Sequence, residues 1–340
     1  MRPRFSVLID TYNHGRFIEQ AVVSAVEQDF PAADFEILVV DDGSTDDTPE
    51  VVKKFAPRVK LLQKKNGGQA SAFNAGFAEA QGEIIALLDG DDWWLQGKLA
   101  AVANAFTEHP EVAAVGHGYY RYFEKSGTRE IVARSKPIFF DLSTPEAARA
   151  SCIGCDFFLP TSLSVRKEVF DRVKPIPEVL TICADAPIAA AAMAMRTLVM
   201  PDCLSCYRVH ATNLYGLATN DTVRMRRRHE IDENVYNVLR PLLLKWGIAS
   251  ECVDALLDPL WIRSSRFRLQ TYGGSHLNTF RTEMRFFKYE ARRPGAGYLF
   301  FKYLVMGPAT LLLPPQRFYA ARDWYYKKNF GRLRSRIFGT

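Results

Sequence analysis

Ile84-Ile85-Ala86-Leu87-Leu88-Asp89-Gly90-Asp91-Asp92 is five apolar residues run straight into three carboxylates and a glycine. An unbroken apolar run of that length, closed by a turn signal, reads as a strand buried on both faces. Such a strand delivers Asp89, Asp91 and Asp92 to the carboxyl edge of a parallel sheet, where open α/β sheets bind ligands. Carboxylates crowded there repel one another unless a cation sits between them, and Mg2+ or Mn2+ takes oxygen ligands. The natural work of such an ion is to bridge phosphate oxygens of a nucleotide. The competing reading is a surface turn, in which Asp and Gly are common.

Working outward, the same texture precedes this strand. Phe5 to Ile9 is a strand, Thr11-Tyr12-Asn13-His14-Gly15 a turn, and Phe17, Ile18, Ala21, Val22, Ala25 and Val26 recur at helical spacing. Phe35 to Val40 is a second buried strand ending in acids, Asp41-Asp42-Gly43-Ser44. Ser44 with Asp47 three residues on makes a helix N-cap signature, and Pro49 suits a first turn. Val59 to Leu62 is a third strand. Asn66-Gly67-Gly68-Gln69 then opens a helix carrying Ala72, Phe73, Ala75 and Gly76. Glycines at a helix start let backbone N–H groups approach an anion, helped by the dipole. The spacing is not GxGxxG, so a dinucleotide fold gains no support. Strand–helix alternation predicts an α/β sheet whose loops carry the acids.

Downstream, Lys98 to Glu108 reads as an amphipathic helix, and short strand-like pieces follow from Val112 to about Leu163. Ser162 to Arg166 reads as a strand and Lys167 to Val173 as a short helix. Asp185 opens an alanine- and methionine-rich helix, Ile188 to Met195. Leu198 to Met200 is strand-like, and beyond about Asp221 the chain reads as helical and basic.

The net charge of +6 over 340 residues is local. Gln316 to Thr340 holds seven Lys or Arg and one acid, which leaves 37 bases (44 − 7) and 37 acids (38 − 1) for the rest. A neutral body argues against a nucleic-acid partner, and a basic tail suits local contact with an anionic surface. The apolar stretch after Arg2 and Arg4 stops at Asp10, too short for a signal peptide, so a cytoplasmic chain is expected. Cys152 with Cys155 and Cys203 with Cys206 form two CxxC pairs. Their long separation and the strand around the second favour buried thiols over a zinc site.

Taken in order, these motifs resemble the inverting family-2 glycosyltransferases, which have the GT-A fold. The matching residues are Thr11-Tyr12-Asn13, Val40-Asp41-Asp42-Gly43-Ser44-Thr45-Asp46, Asn66-Gly67-Gly68 with Asn74-Ala75-Gly76, and Leu88-Asp89-Gly90-Asp91-Asp92-Trp93. Ser164-Val165-Arg166-Lys167, Asp185 and Tyr207-Arg208-Val209-His210-Ala211-Thr212-Asn213 follow. The resemblance implies a Rossmann-like mixed sheet flanked by helices. It implies a catalytic domain over 1–220, with a nucleotide-binding half at 1–97 and an acceptor half at 98–220, and a helical extension over 221–340. It implies that Asp42 accepts the base N–H of a uridine nucleotide, with Tyr12 stacked on the ring and Thr11, Asn13 and Gly67 lining the donor. Asp91 would touch a Mn2+ or Mg2+ ion, with His210 reaching the metal–diphosphate region and Asp89 nearer the ribose. Asp92 and Arg208 would support that loop, and Asp185 would be the catalytic base. The sequence departs from the family where Asp10 replaces a usual Pro and Ala184 a usual Glu.

Sugar transfer from a nucleoside diphosphate needs a Lewis acid at the leaving group and a base at the acceptor hydroxyl. One carboxylate acting as base, with no second one as nucleophile, predicts inversion. The acceptor expected is a glycan or a lipid-linked saccharide. Plainer roles compete at each position: a helix cap for Asp42 or Asp185, a surface histidine for His210, core packing for Tyr12, Trp93 and Trp94. Two other readings of the whole chain are a sugar nucleotidyltransferase, which would need a glycine-rich loop after the first strand, and a membrane-associated scaffold without turnover.

Gly297 to Leu313 is apolar but interrupted by Lys302 and Gly307-Pro308, too short to span a membrane. Phe318, Tyr319, Trp324, Tyr325, Tyr326 and Phe330, interleaved with Arg and Lys, suit a membrane interface at the inner face.

Overall fold

The computed structural model describes residues 2–153, 157–213, 222–291 and 306–324. Its elements run β1 (Phe5–Thr11), α1 (Ile18–Val26), β2 (Phe35–Asp41), α2 (Thr48–Lys53), β3 (Lys60–Gln63), α3 (Gln69–Glu79) and β4 (Ile84–Asp89). Then come β5 (Trp93–Trp94), α4 (Lys98–Glu108), β6 (Ala114–Phe123), β7 (Thr128–Val132), β8 (Ile138–Phe140) and α5 (Pro145–Ile153). The series ends with β9 (Leu163–Arg166), α6 (Lys167–Val173), α7 (Asp185–Met195), β10 (Thr197–Val209), α8 (Thr222–Lys245), α9 (Ser250–Tyr272) and α10 (His276–Ala291).

The described strands form one mixed sheet in the order β3-β2-β1-β4-β9-β6-β10-β5, with β7 on β6 and β8 on β10. β3, β2, β1 and β4 are mutually parallel, as the apolar runs predict. β9 enters antiparallel between β4 and β6. The apolar segment from Phe5 to Ile9 is fully buried because both faces are covered. One face meets α1 and α4, where Ile18, Ala21, Val22 and Ala25 meet Leu99, Val102 and Phe106 in one cluster. The other meets α3. A Cβ on Gly76 would lie 2.3 Å from a Leu8 methyl, so only glycine lets α3 approach β1 this closely.

Two local expectations are corrected. The helix after β2 begins at Thr48, with Asp47 at the cap position and no side-chain cap bond, not at Ser44. The Ser44 hydroxyl instead accepts the N–H of Asn13, and Asp46 takes the N–H groups of Gly15 and Thr48. The strand near Leu198 and the motif from Cys206 are one strand, β10, kept continuous by irregularities between Met200 and Ser205. Helix α5 had no counterpart in the reading of the sequence.

The chain divides into two compact units, Met1–Asn220 with Asn237–Leu256 and Asp221–Tyr236 with Leu257–Thr340. The first holds the sheet. In the second, buried acids pair with arginines on neighbouring helices: Asp232 with Arg263, Glu283 with Arg266 and Asp258 with Arg285. The first two pairs are bidentate, the geometry in which a guanidinium offsets the cost of burying a carboxylate. Phe318 and Tyr319, expected at a membrane interface, are instead buried against Leu269 in this unit. Tyr325, Tyr326 and Phe330 lie outside the described residues, as does most of Gly297 to Leu313. Among the described residues no helix is long and apolar enough to cross a membrane.

Candidate active site

Register fixes the centre of the site. β1 and β4 are paired so that Asp10 stands beside Asp89, at the carboxyl ends of both strands. The chain then turns through Gly90 to Asp92, whose N–H bonds back to the Asp89 carbonyl. β5 clamps this turn by pairing with Ser205 and Cys206 of β10. β10 continues past that clamp, so Arg208 and His210 arrive over Asp91.

Asp91 accepts a hydrogen bond from His210 Nε2 at 3.0 Å. On its other side His210 Nδ1 lies 2.8 Å from the Thr212 hydroxyl and 3.3 Å from the Thr212 backbone nitrogen. The ring is only 3% exposed and rests on Phe17, so it is no surface histidine. His14 Nε2 stands 3.9 Å from the same carboxylate oxygen, and Asn213 Nδ2 stands 3.5 Å away. Burial pushes the Asp91 carboxyl up, but the His210 hydrogen bond and the charges of His14 and His210 outweigh it, so it lies below the usual range. Asp92 is fully buried, accepting the Thr161 hydroxyl and the Arg208 N–H. Arg208 donates through Nε to the Asp91 carbonyl and through its terminal nitrogen to Gln20, with its guanidinium over Phe17 and Trp93. Both residues therefore brace the acidic turn. Trp93 and Trp94 are buried packing residues.

Burial lifts Asp89 and Asp92 well above the usual carboxylate range and Asp10 to about 7, with neighbouring acids adding to each. Oxygens of Asp89, Asp91 and Asp92 lie within 4.8 Å of one another. A crowded, all-oxygen set at a sheet edge fits a hard divalent cation. Asp91 and Asp89 are the better donors, because both Asp92 oxygens are committed to Thr161 and Arg208. Cys203 and Cys206 are pushed up by burial, Cys206 to about 11, which keeps them protonated. Cys155 lies outside the described residues.

The donor side is built from three loops. Tyr12 is 41% exposed and belongs to no core. Asn13 adopts a left-handed φ of 55° and accepts the Thr45 N–H, tying the first loop to the second. Thr11 is buried, its hydroxyl 3.3 Å from His14 Nδ1. Asp42 takes Lys64 Nζ at 2.6 Å and the N–H groups of Gly67 and Gly68 at 3.0 and 2.7 Å. The anion met by those glycine amides is thus the chain's own Asp42, which caps no helix after β2.

Asp185 is the first residue of α7, preceded by Ala184 as the cap. Burial pushes its carboxyl up to about 6. Its charge acts on Asp89, so the two share one neighbourhood. Gln69 joins them physically: its Nε2 reaches Asp10 at 3.2 Å and Asp89 at 3.4 Å, while its Oε1 accepts the Ala184 N–H at 3.0 Å. Gln69, Asp10, His14 and Thr161 were not singled out as site residues. His14 and Gln69 sit inside motifs already quoted, whereas Thr161 carries no signal in the sequence.

A mixed sheet flanked by helices, with acids just after β2, at the end of β4 and at the start of α7, has the architecture of the GT-A fold. Glycosyl transferase family 2 matches the chain over residues 6–174, and the chain belongs to that family. An uncharacterized glycosyltransferase of Nostoc sp., alr2836, is 33% identical over 233 residues, 64% of this chain and 69% of that protein. The poly(ribitol-phosphate) beta-N-acetylglucosaminyltransferase TarS of Staphylococcus aureus is 30% identical over 183 residues, 50% of this chain and 32% of its own length. The crystal structure of TarS 1–349 in complex with UDP-GlcNAc has a similar fold, with a TM-score of 0.54 at 19% identity over 84% of this chain and 88% of that one. The mannosyltransferase PcManGT of Pyrobaculum calidifontis, solved with GDP-Man and Mn2+, gives 0.55 at 21% identity over 96% and 85%.

Proposed function

We propose that the chain moves a sugar from a UDP-linked donor to a hydroxyl of a glycan or lipid-linked saccharide, with inversion at the anomeric carbon. The observation that carries this reading is the juxtaposition, through Gln69, of the carboxylates at the end of β4 with Asp185 at the start of α7. One set suits a diphosphate-bound cation, and the other leaves a base for the acceptor. A UDP-sugar complex of one relative and a GDP-Man and Mn2+ complex of another support a nucleotide sugar and a divalent ion. Domain limits of 1–220 for the catalytic part and 221–340 for the helical extension belong to the same proposal.

In this reading Tyr12 offers its exposed ring to the base, and Asp42 reads the base edge, which requires Lys64 to yield one carboxylate position. Thr11, Asn13 and Gly67 shape that wall. Asp89 faces the ribose. Asp91, with His210 in the tautomer whose ring proton sits on Nδ1 and faces the Thr212 hydroxyl, would hold Mn2+ or Mg2+, which when bound stabilises the charge of the departing diphosphate. Asp185 takes the proton of the acceptor oxygen as that oxygen attacks from the face opposite the leaving group. With a carboxyl at about 6, Asp185 is ionised at neutral pH yet basic enough to accept a proton. The test is calorimetry of UDP with and without Mn2+, followed by a turnover screen over UDP- and GDP-sugars. Metal-independent UDP binding, or turnover of no nucleotide sugar, would overturn the proposal.

The second unit suits peripheral attachment to an anionic membrane on the cytoplasmic side. Leu311, Leu312, Leu313 and Trp324 are exposed, and seven basic residues against one acid follow Gln316. Apolar side chains beside basic ones insert at a headgroup boundary. Co-sedimentation with phosphatidylglycerol vesicles, but not with phosphatidylcholine vesicles, is the expected result. Leu312→Glu should weaken it, and equal binding of both variants would refute the contact.

A further inference from the structure

Gln69 makes bonds in two directions from one position. Its backbone N–H and that of Ala70, two of the four donors that a helix start leaves without intrahelical partners, reach the carbonyls of Thr181 at 3.0 Å and Leu180 at 3.3 Å. Its side-chain oxygen accepts the N–H of Ala184, which is fully buried. Its side-chain NH2 has two protons and two carboxylates to serve, Asp10 and Asp89. The segment 180–184 is therefore fastened to α3 on both sides of Cys183. Cys183 holds a left-handed φ of 58°. A non-glycine residue pays a steric cost there and persists where its surroundings over-determine it. Gly68, at φ +85°, makes the approach feasible, since a Cβ on it would meet Thr181 Cα at 2.7 Å.

We propose that Gln69 is a positioning residue for Asp185: its amide locks the strained turn that launches α7 to the acids at the ends of β1 and β4. The proposal rests on the reading of Asp185 as base. Because Asp185 follows Ala184 directly, the Gln69–Ala184 bond sets where the carboxylate enters the site. Without it the turn loses the side-chain hydrogen bond to Ala184, next to Cys183, and the base is no longer held at one distance from the donor. The groups proposed to hold the nucleotide base, Tyr12 and Asp42, make no bond to the Gln69 side chain, and Gly67 and Gly68 reach Asp42 through their own N–H groups, so donor KM shifts less than kcat even though Asp89 loses one neutral hydrogen bond.

The test is a double-mutant cycle on the full chain with Gln69→Met, Asp185→Asn and the double variant. Hydrolysis is followed for the nucleotide sugar of a UDP- and GDP-sugar panel that the unmodified chain turns over fastest with Mn2+. Hydrogen exchange at the Ala184 amide is read alongside. Gln69→Met, which keeps the length and loses both polar ends, should lower kcat about tenfold or more, leave the donor KM within about threefold, and speed exchange at Ala184. In the Asp185→Asn background the same change should alter the residual kcat less than about threefold, since residues acting as a unit are not additive. Equal fold losses in both backgrounds, or an unchanged kcat in Gln69→Met, would overturn the proposal while leaving Asp185 as base. Full turnover by Asp185→Asn would remove the base reading and the proposal with it. Should the methionine variant fail to fold, Gln69→Asn, too short to span both ends, takes its place with the same outcomes.

Discussion

As the proposed base, Asp185 makes a quantitative forecast for the pH dependence of turnover. The perturbation is acidification from pH 8 to pH 5 in the presence of Mn2+. The kcat/KM profile reports groups of the free enzyme, and the free carboxyl of Asp185 is pushed to about 6 by burial. A single group of that pKa is about nine-tenths ionised at pH 7 and about one-tenth at pH 5, so kcat/KM should fall about tenfold between them. The sign is fixed by the role: a base works unprotonated, so activity rises with pH and levels off above about 7. In kcat the limb should lie at lower pH, because a bound cation near Asp89 favours the ionised form. Asp185→Asn should lower kcat by about 10²–10⁴-fold and abolish the limb in whatever activity remains. The assay is donor turnover in constant-ionic-strength buffers. A flat profile from pH 5 to 7, or an unchanged limb in Asp185→Asn, would refute the argument.

Other expectations follow from single contacts. Asp91→Asn should lose the Mn2+ dependence of UDP binding by calorimetry and with it turnover, while the thermal unfolding midpoint holds. Asp10, at about 7 in the folded chain against 3.8 as an ordinary carboxyl, binds a proton in the folded state that the unfolded chain releases. Its contribution is fully present below about pH 4 and drains as pH rises to about 7, at up to roughly 1.4 kcal/mol per pH unit. Melting of metal-free protein should therefore fall from pH 5 to 8, and less steeply in Asp10→Asn. Gly76→Ala places a Cβ 2.3 Å from Leu8 and 3.0 Å from Val40, and should destabilise by about 1–3 kcal/mol in urea unfolding. Arg208→Lys keeps the charge but cannot reach both the Asp91 carbonyl and Gln20 while covering Trp93. It should raise the Mn2+ concentration needed for half-maximal turnover.

The parallel core was legible because β1, β2 and β4 are buried on both faces and so read as unbroken apolar runs. Residues at strand ends were legible for the same reason, since a strand of known register must deliver Asp42, Asp89 and Asp91 to one edge. Helix α5 was not, because its apolar periodicity is weak and it lies among short strands. The start of α2 was misplaced because Ser44 and Asp46 hydrogen-bond to the first loop, a tertiary use that mimics a local cap signature. Thr161 is invisible in sequence for a related reason. It acts through Asp92, some seventy positions earlier in the chain, and nothing in its neighbours marks it. The burial of Phe318 and Tyr319 likewise depends on a partner, Leu269, that no local pattern names.

Charge supplies the last step. Asp10, Asp89, Asp91 and Asp92 come together at the ends of two adjacent strands and the turn that follows, and like charges so placed resist ionising together. Among the described residues the nearby cations answer Asp42 and Asp92 rather than Asp10 and Asp89. Lys64 is on Asp42. Arg208 directs Nε to the Asp91 carbonyl and its terminal nitrogen to Gln20. Burial pulls the fully buried Lys98 well below the usual lysine range, and it bonds the Thr161 carbonyl. The histidines relieve Asp91 alone. Asp89 and Asp10 are left to share the neutral amide of Gln69, which lends hydrogen bonds but no charge. A divalent cation at Asp89 and Asp91 would let the set ionise without rearranging the sheet, and would do so most strongly where the acids are deprotonated. Mn2+ should therefore raise the melting temperature more at pH 8 than at pH 5.5. An equal rise at both values would show that the ion binds without meeting these acids.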